Sequence, residues 1–224
     1  MVGSCGFDGC CSSIRARSSA RSACASAPVW SLQLEAFEEQ LRLSAQLRRP
    51  TSVHCVKAHA ALLECLRRAA GALPPAMSLH SFSGSSADVR QLLNVGCSGR
   101  LFFGFSHTVN VAMGGGPGTK GYAELCDAIR AVPEDALLVE SDADDGAHAI
   151  HATRLAVDLV AEARGWSVEH AAAVTTRNAW RFLHEEAAVE AAVEAAVELE
   201  AAARVDLRLE ALSARSCVVS ITVL

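Results

Sequence analysis

At 224 residues, with 51% apolar and 20% charged side chains, the chain is globular, as one domain or one domain plus an appendage. A formal net charge of −5 leaves no electrostatic footprint for tight, non-specific nucleic-acid binding, although a short basic stretch runs from Arg15 to Arg21. Nine scattered cysteines without a Cys-x-x-Cys pair count against structural zinc and a disulfide scaffold, and no apolar run approaches the ~20 residues needed to span a bilayer.

The stretch from Cys10 to Ala27 is rich in Ser, Ala, Arg and Cys and has no acidic residue; it reads either as an organelle transit peptide or as a poorly ordered loop. From Ser31 to Arg49, Leu34, Phe37, Leu41 and Ala45 recur at helical spacing, with Ser31 as N-cap and Pro50 as the stop. The apolar run Thr51-Ser52-Val53 then ends on His54. A helix follows over Ala58 to Ala72, broken by Gly71 and Pro74-Pro75, and its Cys65, like Cys55 before it, is expected to pack as a small hydrophobe. The next run, Met77-Ser78-Leu79, ends on His80 and gives way to a helix from Ser85 to Asn94. Leu101 to Phe105 is a strand, Gly114 to Gly118 a flexible loop, and Tyr122 to Val132 a helix. Leu137-Leu138-Val139 leads through Glu140 and Ser141 to Asp142, and helices are expected from Ile150 to Arg164 and from Val168 to Leu183. From Glu185 the sequence becomes a low-complexity Ala-Ala-Val-Glu helix former with a stripe of Val189, Val193 and Val197. This gives a body over 1–184 and a helical tail over 185–224, with a frayed end at Ser216 to Leu224.

The regular alternation of strand and helix predicts a parallel sheet. In a barrel of such units the side chains at the carboxyl ends of strands converge on one face, so His54, His80 and Asp142 are the candidate ligands of a divalent metal. Asp142 has a second reading as N-cap of the following helix. Ser81, Ser83 and the backbone near Gly84 either approach a phosphate at a helix N-terminus or form an ordinary turn capped by Ser85. His148 and His151, close after Asp142, either cover missing coordination or face solvent in a shortened loop, and the second reading is the one adopted. Gly114 to Lys120 lacks the Gly-Lys-Ser/Thr order of a phosphate loop and does not follow a strand.

Five segments in order resemble the TatD-related deoxyribonucleases. They are Gln40 to Ala45, Arg49 to Cys55, Leu79 to Ser85, Leu137 to Asp142 and Thr175 to Phe182. Val2 to Asp8 is also similar to the family's Val-Gly-Glu-Ile-Gly-Leu-Asp strand, with Ser4 where the family has a metal-bridging Glu. The family's opening His-x-His pair has no counterpart in this chain. The resemblance implies an α/β fold, a partial TIM-type (β/α) barrel with about five of the eight strands. It also implies a metal-dependent hydrolase of the amidohydrolase-like superfamily, cleaving DNA phosphodiesters with one or two divalent ions (Mg²⁺, Mn²⁺ or Zn²⁺). His54 and His80 would then be ligands, and Asp142 both a ligand and the catalytic group that orients or deprotonates the attacking water. The alternative is a catalytically silent remnant that binds a protein partner at its open sheet edge or helical tail. The expected setting is intracellular and cytoplasmic, with no membrane association; nucleus and organelle stay open.

Overall fold

The computed structural model describes residues 27–69, 71–95, 100–184 and 219–223. Thr51–Cys55 (β1), Ala76–His80 (β2), Arg100–Ser106 (β3), Leu137–Glu140 (β4) and Val219–Val223 (β5) form one sheet in the order β4-β3-β2-β1-β5. Every pairing is parallel. Helices fill the connections: Ala27–Gln46 (α1), His59–Arg68 (α2), Ser86–Leu93 (α3), a short turn Ala112–Gly114 (α4), Lys120–Ala131 (α5), Gly146–Arg164 (α6) and Val168–Leu183 (α7). This is the expected α/β alternation.

Strand alternation decides what each face of the sheet carries. Val53, Leu79, Phe103 and Leu137 are in register across β1 to β4, and all four are buried in the main core under the helices. Met77 and Phe105 join them, together with Phe37 and Leu41 of α1 and Leu62 and Leu66 of α2. Each such apolar side chain contributes about 1.5–3 kcal/mol on burial. Cys55, Cys65 and Cys126 are buried free thiols in the same core; burial pushes the Cys55 and Cys65 thiols up to about 11, so they pack as hydrophobes.

The opposite face takes the alternate residues Ser52, His54, Ser78, His80, Gly104, Ser106 and Glu140. At the amino-terminal end of this face, Ala76, Phe102 and Leu138 pack on Phe182 of α7. Asn178 anchors that helix: its Nδ2 donates to the carbonyls of Glu134 (2.7 Å) and Leu137 (2.9 Å), at the entrance of β4. The polar groups are therefore left at the carboxyl ends of the strands.

Among the boundaries that differ from the sequence reading, three have a clear local cause. Helix α1 begins at Ala27, so Ser31 lies inside it instead of capping it; Pro28 sits in the first turn, where the backbone N–H groups lack helical partners anyway. Helix α6 begins at Gly146 because Asp145 caps it, its side chain accepting from the His148 N–H, and it ends on Gly165 in the left-handed conformation that glycine favours. Residues 219–223, expected to fray, instead form β5: Val-Ser-Ile-Thr-Val is rich in β-branched residues, and the edge of β1 offers unpaired N–H and C=O groups. The strand expected at Val2 to Asp8 and the helical tail over 185–218 lie outside the described residues.

Candidate metal centre

His54 and His80 stand side by side because β1 and β2 pair in register at these residues. Their ring centroids are 5.5 Å apart. His80 is the last residue of β2, and both of its ring nitrogens face carboxylates: Nδ1 is 2.7 Å from Glu140 Oε2 and Nε2 is 2.9 Å from Asp142 Oδ1. Glu140 belongs to β4, and β3 lies between β4 and β2. Its carboxylate can cross because position 104 is glycine: a Cβ there would come within 3.0 Å of Glu140 Oε1.

The other oxygen of Glu140 is held from below. Oε1 accepts from the Ser81 N–H and from Ser81 Oγ at 3.0 Å. Ser81 Oγ also bonds Ser106 Oγ at 2.9 Å, and the Ser106 N–H donates to Asn110 Oδ1 at 2.8 Å. Asp142 reaches back to His80 by leaving β4 through a left-handed backbone conformation, φ +50°, which a short polar side chain tolerates.

The two imidazoles titrate in opposite directions. Burial, with His80 beside it, lowers the pKa of His54 below its ordinary value, which keeps that ring neutral and able to donate a lone pair. The hydrogen bond to Glu140 raises that of His80 against desolvation, and the charges of Glu140 and Asp142 add to it. Glu140 plays the part of an orienting carboxylate, which metal-binding imidazoles regularly have on their far nitrogen. By donor type, His54, His80 Nε2 and Asp142 fit one divalent ion. Among the described residues, however, no group of three or more His, Cys, Asp or Glu side chains is drawn together tightly enough to hold a metal. Here Nε2 of His80 and the Asp142 carboxylate bond each other directly.

The sequence candidates thus separate. His54, His80 and Asp142 share one end of the sheet, and Asp142 is not the helix cap, since Asp145 fills that role. His148 turns its Nδ1 to Asp145 at 2.7 Å, and His151 is exposed. At the start of α3 the turn reading holds: Ser85 accepts from the Asp88 N–H while its own N–H donates to Asp88 Oδ2 at 2.7 Å, so a carboxylate already occupies the place of an anion. Glu140, Ser106 and Asn110 join the hydrogen-bond network around His80, and sequence reasoning missed all three. The available signal was Gly104 in the middle of an aromatic strand, which marks a close approach across the sheet.

No helix among the described residues is long and apolar enough to cross a membrane. Over 178 residues the chain is 25% identical to the Cut9-interacting protein scn1 of Schizosaccharomyces pombe, covering 67% of this chain and 50% of that protein. It is 35% identical over 111 residues to the 3′-5′ ssDNA/RNA exonuclease TatD of Klebsiella pneumoniae, covering 50% of this chain and 38% of the exonuclease. The chain therefore spans half or less of the length of these curated relatives. In fold it is similar to a solved structure of an uncharacterized amidohydrolase from Saccharomyces cerevisiae, with TM-score 0.51 and 17% identity over 68% of this chain and 59% of that one. The TatD-related DNase family matches residues 1–184, through α7 and past every residue of the site, and the chain belongs to that family.

Proposed function

We propose that this chain is a TatD-like, metal-dependent deoxyribonuclease that hydrolyses DNA phosphodiester bonds, working exonucleolytically. The observation that carries the reading is the convergence of His54, His80 and Asp142 at one end of a parallel sheet, with Glu140 orienting His80. A divalent ion (Mg²⁺, Mn²⁺ or Zn²⁺), when bound, supplies Lewis-acid polarisation of the phosphate and an acidified water.

The protein's own groups do the rest. His54 and His80 would hold the ion through imidazole nitrogens and Asp142 through its carboxylate. Asp142 also orients the attacking water and accepts its proton at a carboxylate oxygen. Glu140 holds the proton on His80 Nδ1, which leaves Nε2 free for ligation once the Asp142 contact opens. With three ligands the reading is for one ion, and a second would need donors from elsewhere. The free, buried cysteines at 55, 65 and 126 suit a reducing, intracellular setting.

The test is cleavage of end-labelled single-stranded DNA by the purified chain in Mg²⁺ or Mn²⁺, beside Asp142→Asn. Cleavage by the wild type that drops at least about 100-fold in the variant is the expected result. Equal cleavage by both proteins, or none by either, overturns the reading. The second reading is a catalytically silent module that binds a partner at its open sheet edge; inactivity of both proteins would select it.

A further inference from the structure

We propose that Asn110 is a positioning residue for the metal centre, holding Ser81 in a left-handed backbone conformation from which Ser81 orients Glu140 and, through it, His80. The inference rests on the metal-site reading above. Ser81 follows His80 directly and has φ +42°, a region that side-chain-bearing residues rarely adopt. Something must hold it there, and Asn110 is placed to do so.

Asn110 lies in a π-helical turn, His107–Val111, that continues β3, and it is buried to 3% exposure. Such turns leave the regular helical ladder and recur at functional sites. Its amide works in both directions. Oδ1 accepts from the Ser106 N–H, while Nδ2 donates to the Phe82 carbonyl at 2.8 Å and reaches the Ser81 carbonyl at 3.4 Å. The Phe82 N–H donates to the Gly104 carbonyl at 2.8 Å, so the residue after Ser81 is fixed at both ends of its peptide. With Ser81 held in this way, its N–H and Oγ converge on Glu140 Oε1, and Oε2 is left for His80 Nδ1. The route from Asn110 to His80 thus passes through Ser81 and Glu140 by hydrogen bonds alone.

The experiment measures Mn²⁺ binding by the full chain, from the free-ion electron paramagnetic resonance signal, and hydrogen exchange at the Ser81 and Phe82 amides. Asn110→Ala is expected to weaken Mn²⁺ binding about 10- to 100-fold, as loss of a supporting contact behind a ligand does, and to speed exchange at both amides. Val89→Ala, a cavity variant in the helix core, is expected to lower the melting temperature while leaving Mn²⁺ affinity unchanged. Equal Mn²⁺ affinity in wild type and Asn110→Ala overturns the inference and leaves the metal reading standing. If wild type binds no Mn²⁺, the metal reading fails instead, and amide exchange decides the positioning claim: unchanged protection of Ser81 and Phe82 in the variant overturns it. Where Asn110→Ala does not fold, it is placed in a Ser81→Gly background, since glycine adopts this φ unaided. There Asn110→Ala is expected to change affinity less than about threefold, and a tenfold or larger loss would contradict the claim.

Discussion

Glu140 passes over Gly104 on its way from β4 to His80, so closely that a Cβ at position 104 would stand 3.0 Å from its Oε1. The carboxylate of Glu140 and the imidazole it orients come from strands that do not pair with each other. The absent side chain on the strand between them is what lets them meet.

Gly104→Ala tests this. Glu140 is held at both oxygens and cannot move aside freely. The substitution is expected to cost about 1–3 kcal/mol in denaturant-measured stability, as overpacking does. It should also lower Mn²⁺ affinity about 10- to 100-fold through misplacement of His80. Unchanged affinity would show that Glu140 does not depend on the gap.

The pH behaviour follows from the raised pKa of His80. A histidine whose folded pKa lies above its ordinary 6.5 contributes stability that is fully present below 6.5 and lost as pH rises through the folded value. His54 has the reverse shift and loses stability for the fold as pH falls below 6.5. Comparison with Glu140→Gln isolates the first effect. In metal-free protein the melting temperature of the wild type should exceed that of the variant most at acid pH, with the gap narrowing as pH rises through the elevated pKa of His80. The proton also competes with a cation for His80, so Mn²⁺ affinity is expected to fall on acidification.

Asp142 and Asp145 can be told apart by opposite outcomes. Asp145→Ala removes the cap of α6 and should lower stability by about 1 kcal/mol with DNA cleavage and Mn²⁺ binding unaffected. Asp142→Asn should abolish Mn²⁺ binding and leave the melting temperature of the metal-free protein within a few degrees of wild type. The reverse pattern would return Asp142 to a structural role.

Much of this candidate site was legible in the sequence because polar residues at strand ends are local signals. His54 and His80 each close an apolar run, and Asp142 lies just past one. The strand-helix alternation likewise announced the parallel sheet. What remained hidden depends on contacts between distant segments. The partnership of Glu140 with His80 spans 60 positions and requires the strand order, and the amide of Asn110 acquires its role only when the π-helical turn folds back on Ser81. The start of α1 was missed because Ser31 looks like a cap, whereas Pro28 suits the first turn. β5 was missed because its sequence has no partner until β1 offers an edge.

That edge makes a further expectation. Removal of residues 219–224 takes β5 from its pairing with β1 and exposes a row of unpaired backbone groups beside His54. Light scattering of the shortened chain should show concentration-dependent self-association absent from the full chain. A monomeric shortened protein with an unchanged melting temperature would show that β5 contributes nothing to the sheet.

His54, His80 and Asp142 are proposed to form a cation site, and calorimetric titration of the purified chain with Mn²⁺ near neutral pH decides whether they do. Binding of about one ion per chain, weakened at least about 100-fold in His80→Ala, is the expected result. Absence of binding, or equal binding by wild type and His80→Ala, would contradict it.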